Sequence, residues 1–174
     1  MTEISADERY LIFALSIAFV MAAVVGTALV FEHVFGYLPC YLCLLQRTPY
    51  YIGIPVALVA AAASWLRWPV LVTRLALIAV GLLMAYGAVL SGYHAGVEWR
   101  WWEGPADCGA TTGGVVTDAN NLLAAIEIVK PPSCDEAALR VLGLSFAGWN
   151  VLVSVALALW VFVTLRGGVS QKSN

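Results

Sequence analysis

The sequence predicts an all-α polytopic membrane protein: a four-transmembrane-helix bundle with a long exported loop that contains a short amphipathic helix. Three observations lead there. Of 174 residues, 61% are apolar and 11% charged, whereas an ordinary soluble domain has roughly a quarter of its residues charged. The apolar residues gather into four uncharged runs, Leu11–Phe31, Tyr50–Leu66, Leu75–Tyr93 and Val141–Leu165, and about 20 residues cross a hydrocarbon core of about 30 Å. The few charges are then divided unevenly between the two ends of those runs. This composition excludes a soluble globular enzyme and a disordered chain. Nine Lys and Arg against eleven Asp and Glu, a net charge of −2, leave no basic patch for nucleic acid. The length fits a single membrane domain over 1–174.

The first span, about 11–31, follows a leader (Met1–Arg9) with more acid than base and is too long for a signal-peptide core, so an uncleaved helix is expected. A short exported segment, about 32–46, leads to the second span, about 50–66, at the lower limit of length. The third span covers about 75–93. The long exported segment follows, about 92–143. Within it, Thr117–Val129 reads as a short amphipathic helix with Thr117 or Asp118 as cap and Leu122, Ile126 and Val129 on one face, lying on the membrane surface. The fourth span covers about 144–165. Small residues recur in the spans (Gly26, Ala60, Gly81, Gly87, Ser154), as close helix packing requires.

An even number of spans puts both termini on one side. Arg9, Arg67, Arg74, Arg166 and Lys172 lie there, opposed only by Glu3, Asp7 and Glu8. The other side holds Arg47, Arg100, Lys130 and Arg140 against Glu32, Glu98, Glu103, Asp107, Asp118, Glu127, Asp135 and Glu136. By the positive-inside rule the termini are cytoplasmic. Trp99, Trp101 and Trp102 mark a membrane interface.

All four cysteines, Cys40, Cys43, Cys108 and Cys134, fall on the two exported segments, on the side where disulfides persist. Cys40 and Cys43 form a C-x-x-C where the second helix begins, and the free N–H groups of a helix start favour the reactive thiolate. Arg47 stands one helical turn after Cys43, placed to stabilise a thiolate or a developing oxyanion; the alternative is a snorkelling interfacial anchor. Gly104-Pro105 and Gly113-Gly114 flank Cys108 and Pro131-Pro132 precedes Cys134, and this pair serves either as a second redox pair or as a structural staple. No metal is expected, because the second pair lacks the close spacing of a zinc half-site.

Two dithiol pairs on one face read as a relay that needs an electron sink. With no haem-attachment motif, dinucleotide fingerprint or P-loop in the chain, a lipid-soluble quinone, ubiquinone or menaquinone, is the expected acceptor. Arg47, Tyr50 and Tyr51 on the second helix, and His94 and Glu98 just after the third, are the candidate lining groups. For His94 the alternative is a hydrogen-bonded packing residue, and His33 is read as structural. A different class of protein stays open: a non-enzymatic assembly or transport subunit whose disulfides brace exported loops. A haem held by His33 and His94 is a third reading.

The residues Pro-Cys-Tyr-Leu-Cys-Leu-Leu-Gln-Arg at 39–47, Tyr-His-Ala-Gly-Val-Glu-Trp at 93–99, Gly-Pro-Ala-Asp-Cys at 104–108, and Cys-Asp at 134–135 leading to Leu-Gly-Leu-Ser-Phe-Ala-Gly-Trp-Asn at 142–150 resemble the DsbB family. These are quinone-dependent disulfide formation proteins of bacterial inner membranes, and the resemblance covers nearly the whole chain. It implies that Cys108 is attacked by a reduced periplasmic thioredoxin-fold oxidase like DsbA, that Cys134 exchanges with Cys40, and that Cys43 is left as the thiolate at the quinone, with Arg47 beside it and His94 near the ring. A vitamin-K-epoxide-reductase-like protein uses similar logic, but its redox C-x-x-C is expected late in the bundle.

Overall fold

Ser5 opens the first helix with a capping box: its hydroxyl accepts from the Glu8 N–H at 3.2 Å, and the Glu8 carboxylate accepts from the Ser5 N–H at 2.8 Å. These reciprocal bonds satisfy donors that a helix start leaves bare. Helix α1 therefore begins ahead of the apolar run and covers Ala6–His33. The computed structural model describes residues 5–105 and 133–170; Cys108 and the amphipathic helix expected over 117–129 lie outside them.

Helix α2 covers Tyr41–Trp65 and starts at the C-x-x-C, with Cys40 as its N-cap. It is longer than its apolar run because Gln46 and Arg47, which broke that run, sit inside the first turns. Pro49 and Pro55 lie within it, each removing one backbone donor. Helix α3 covers Val70–Glu98. His94 and Glu98, expected just beyond the third span, are instead inside its last two turns. The chain leaves α3 through Trp99 and through Arg100, whose φ is +58°.

The fourth apolar run does not enter the membrane helix directly, as the expected span from about 144 would have it. Arg140–Val141 and Leu144–Ser145 pair as a short antiparallel hairpin, β1 and β2. Leu142 and Gly143 turn it with φ of +53° and +84°, the left-handed pair that a two-residue hairpin loop needs. An apolar hairpin of Val and Leu reads like a span start by hydropathy alone. Helix α4 then covers Phe146–Ser170, and the Ser145 hydroxyl accepts from the Gly148 N–H at 3.2 Å, capping it.

All four helices are long and apolar enough to cross a membrane. Each packs on the next along the chain: α1 on α2, α2 on α3, α3 on α4. Ile17 and Met21, Tyr50 and Ala57, Leu77, Val80 and Met84, and Leu157 and Val161 form the shared core. Small residues permit the approach, as the sequence anticipated at Gly81: a Cβ there would meet Val161 Cγ1 at 3.2 Å, and one on Gly53 would meet Met21 Sδ at 3.0 Å. The outward faces stay apolar, with Phe19, Leu82, Val89 and Val163 exposed, which suits lipid rather than water. Trp99, Trp101 and Trp102 form an edge-to-face cluster at the end of α3, with Trp102 Nε1–H donating to the Tyr93 carbonyl at 2.9 Å.

Candidate functional site

At one end of the bundle, the C-terminal turns of α1 and α3 meet the N-terminal turns of α2 and α4. Cys40, as N-cap, accepts a hydrogen bond at Sγ from the Cys43 N–H at 3.2 Å, one of the donors a helix start offers. The Cys40 and Cys43 sulfurs are 2.6 Å apart, and both cysteines are free. Cys40 Sγ also lies 3.7 Å from His94 Nε2. The hydrogen bond from the Cys43 thiol, and after it His94, outweigh burial and hold the Cys40 thiol down to about 5, far below the ~8.5 of a free thiol.

Cys134 arrives from the segment ahead of β1 and is buried beside Cys40, Leu42 and Val97. Its sulfur, the Cys40 sulfur and a His94 ring nitrogen all lie within 4.8 Å of one another. Three such ligands invite a metal reading. Cys134, however, is disulfide-bonded and brings no thiolate to such a site, whereas a disulfide sulfur next to a low-lying thiol is what exchange requires.

A cavity of about 580 Å³ opens beside the thiols, within the ordinary range for a small-molecule site. Val24, Val25, Phe31 and Val153 give it apolar walls, and Cys43, Arg47, Tyr50, His94 and Glu98 line it as well. The structure thus brings Cys40, Cys43, Cys134, Arg47, Tyr50, His94 and Glu98 together at this end of the bundle. Tyr51 is the exception among the lining candidates: it is half exposed and is not part of the wall. His33 is exposed at the end of α1 and has no place in the cavity wall, so the paired-histidine haem reading finds no support. Arg47 does share a wall with Cys43, but its guanidinium is engaged by the Glu32 carboxylate of α1. His94 Nε2 is 3.8 Å from Glu98 Oε1 one turn on, and among the described residues Glu98 Oε2 is a buried oxygen without a hydrogen-bond partner.

The geometry is that of a buried thiol pair opening onto an apolar pocket at the end of four membrane helices. A family model described as Disulfide bond formation protein DsbB matches residues 9–164. The chain belongs to the DsbB family. It is similar to Disulfide bond formation protein B of Ralstonia nicotianae, 31% identical over 163 residues that cover 88% of this chain and 92% of that one. Its likeness to Disulfide bond formation protein B of Verminephrobacter eiseniae is also 31%, over 88% of this chain and 84% of the relative. An uncharacterized protein of Rickettsia prowazekii is 26% identical over 95% of this chain and 93% of its own length. As a DsbB-family member with four such helices, the chain is a multi-pass membrane protein of disulfide bond formation.

Sequence reasoning missed several residues of this DsbB-family site. Gln46 Nε2 lies 2.5 Å from His94 Nδ1, and Gln46 Oε1 accepts from Asn150 Nδ2 at 3.0 Å. Asn150 Nδ2 is also 2.6 Å from Ser91 Oγ. Tyr50 O–H donates to Asn150 Oδ1 at 2.6 Å and lies 2.9 Å from Ser154 Oγ. A glutamine in a polar helix start and an asparagine at the head of an apolar helix carry no motif. The one available signal was polarity on otherwise apolar helices, where buried polar groups must find partners.

Proposed function

We propose that this chain reoxidises a periplasmic, DsbA-like thioredoxin-fold dithiol oxidase and passes the two electrons to a membrane quinone, ubiquinone or menaquinone. The observation that carries this reading is the mutual approach, within 4.8 Å, of the disulfide-bonded Cys134, the free Cys40 and His94, beside an apolar cavity that reaches Cys43. With Cys40 and Cys43 free, Cys108 is the disulfide partner of Cys134 in this account. A DsbA–DsbB–quinone chain is what keeps a bacterial periplasm oxidising. The membrane is then the bacterial inner membrane, with the termini cytoplasmic and the cysteine segments periplasmic, as the charge asymmetry favours.

A thiolate of the reduced carrier attacks Cys108, and Cys134 departs as a thiolate. The carrier's second thiol resolves that mixed disulfide, leaving Cys108 reduced and the carrier oxidised. The Cys134 thiolate attacks Cys40 of an oxidised Cys40–Cys43 pair, and Cys43 departs as a thiolate. Cys108 then attacks Cys134, which restores the loop disulfide and releases Cys40. The net result is one carrier dithiol oxidised and the Cys40–Cys43 pair reduced, ready to return to its disulfide by giving up two electrons.

A bound quinone supplies a two-electron, two-proton acceptor. Arg47, His94, Tyr50 and Glu98 are the residues that would hold it, against the walls of Val24, Phe31 and Val153. The permanent cation of Arg47 favours negative charge developing at the thiol end of the cavity. The hydrogen bonds to Cys40 stabilise it as a leaving thiolate.

The direct test of the exchange step is a variant with only Cys40 and Cys134 left, Cys43→Ser with Cys108→Ser. Air-oxidised in detergent, it should accumulate the Cys40–Cys134 disulfide, read by mass mapping of the proteolysed protein. Two free thiols after exhaustive oxidation would contradict the relay.

A further inference from the structure

We propose that Gln46 is a positioning residue that fixes His94 as the tautomer with its proton on Nε2, aimed at the Cys40 sulfur, and that Asn150 and Ser91 hold Gln46 in that orientation. Each proton in a buried chain of side chains is fixed by one group that cannot be reversed.

That group is the Gly87 carbonyl, which only accepts. Ser91 Oγ lies 2.7 Å from it, one turn on, and 3.1 Å from Gln46 Oε1, so the single hydroxyl proton of Ser91 goes to one of these two acceptors and its oxygen is left to accept from Asn150. Asn150 approaches Ser91 Oγ at 2.6 Å and must therefore present its amide nitrogen. The same nitrogen faces Gln46 at 3.0 Å, which obliges Gln46 to present its oxygen on that side. The Gln46 nitrogen is then turned toward His94 Nδ1, 2.5 Å away, and Nδ1 must accept. A neutral imidazole that accepts at Nδ1 carries its proton on Nε2.

His94 Nε2 has two acceptors in reach: Cys40 Sγ at 3.7 Å and Glu98 Oε1 at 3.8 Å. When Cys40 is in a disulfide its sulfur is a poor acceptor and the Nε2–H faces the Glu98 carboxylate. When Cys40 is released as a thiolate, the same N–H turns to it. Other titratable or charged groups about this point are Cys43 from α2, Cys134 from the segment ahead of β1, and Arg47 and Glu136 in the cavity wall. Helix α4 presents the uncharged Asn150, and Glu32 of α1 is engaged by Arg47. The proposal rests on the reading of Cys40 as a redox thiol only for its consequence, since the tautomer can be measured without carrier or quinone.

The experiment uses the full chain, reduced, in detergent and labelled with ¹⁵N-histidine; His33→Gln assigns the second of the two histidines. In the unmodified protein the ring-nitrogen shifts should show His94 protonated at Nε2 and bare at Nδ1. Asn150→Asp is nearly isosteric but can only accept, so Gln46 should turn over, offer its oxygen to His94, and move the proton to Nδ1. Gln46→Leu removes the donor and should release the tautomer to a mixture. In both variants the midpoint of Cys40 alkylation against pH, read by mass spectrometry, should rise by about one unit. A proton on Nδ1 in the unmodified protein would overturn the proposal. So would retention of the Nε2 tautomer and an unmoved midpoint in both variants. A protein that shows the tautomer yet reduces no quinone leaves the inference standing and overturns the functional reading instead.

Discussion

A thiol at neutral pH is mostly protonated unless its surroundings favour the anion, and Cys40 is surrounded by donors: the Cys43 thiol, the His94 ring and the Cys43 backbone N–H. Its thiol therefore titrates at about 5, and the sign of the consequence is fixed. In the reduced protein the reactive thiolate at Cys40 is present above about pH 5 and lost only as pH falls through that value. Alkylation of Cys40 should show that midpoint, and His94→Ala should move it upward; a midpoint near the ~8.5 of a free thiol would contradict the geometry. Arg47 carries a second prediction. Arg47→Ala should raise the apparent Michaelis constant for quinone by about tenfold or more, while the loop disulfide still forms; an unchanged constant would return Arg47 to an interfacial anchor clamped by Glu32. Among the described residues, those now at the site that were legible in the sequence are the ones whose chemistry demands a rare group: Cys40, Cys43, Cys134, Arg47, His94, Tyr50 and Glu98. Gln46, Ser91 and Asn150 were not, because their partners lie 48, 59 and 104 positions away along the chain, and no local pattern records such a meeting.

Existence and order of the helices were legible because their apolar runs are long, but their ends were decided by polar contacts that hydropathy does not weigh. The Ser5 and Glu8 capping box starts α1 early, Cys40 starts α2 well before Tyr50, and α3 continues through His94 to Glu98. These extensions build the site: a helix α3 that stopped at Tyr93 would leave His94 without a fixed place beside Cys40. The end of α3 is pinned by Gly96, where a Cβ would run into the Trp102 ring, itself stacked on Tyr93. Gly96→Ala should therefore destabilise the fold by about 1–3 kcal/mol, read as a lower thermal unfolding midpoint in detergent. A midpoint equal to that of the unmodified protein would show that the Trp102 ring moves aside without cost. The hairpin ahead of α4 was hidden for the opposite reason, since Val141, Leu142 and Leu144 carry the same apolar signal as the helix they precede; only Gly143 and Ser145 marked the boundary.

At the scale of the whole molecule, lipid-facing residues such as Phe19, Leu82 and Val89 cover the outside, and at one end α2, α3 and α4 place Arg47, His94 and Asn150 around one cavity, with Glu32 of α1 holding Arg47. The composition made the solvent legible and the cysteine positions made the reacting face legible. What neither could supply was the approach of Cys134 to Cys40, because it depends on how a segment ahead of α4 folds back over the start of α2. That approach is the centre of the account, since it sets the disulfide-bonded Cys134, which the proposal supplies with electrons from a soluble carrier, beside the thiol pair at the membrane cavity. The most direct test is anaerobic incubation of the purified protein with a reduced thioredoxin-fold carrier and ubiquinone or menaquinone, following quinone absorbance against carrier thiols. The account predicts one quinone reduced for each carrier dithiol oxidised, and no turnover in Cys40→Ser or Cys134→Ser. Unimpaired quinone reduction by Cys134→Ser, or carrier oxidation by the unmodified protein with neither quinone reduced, would contradict it.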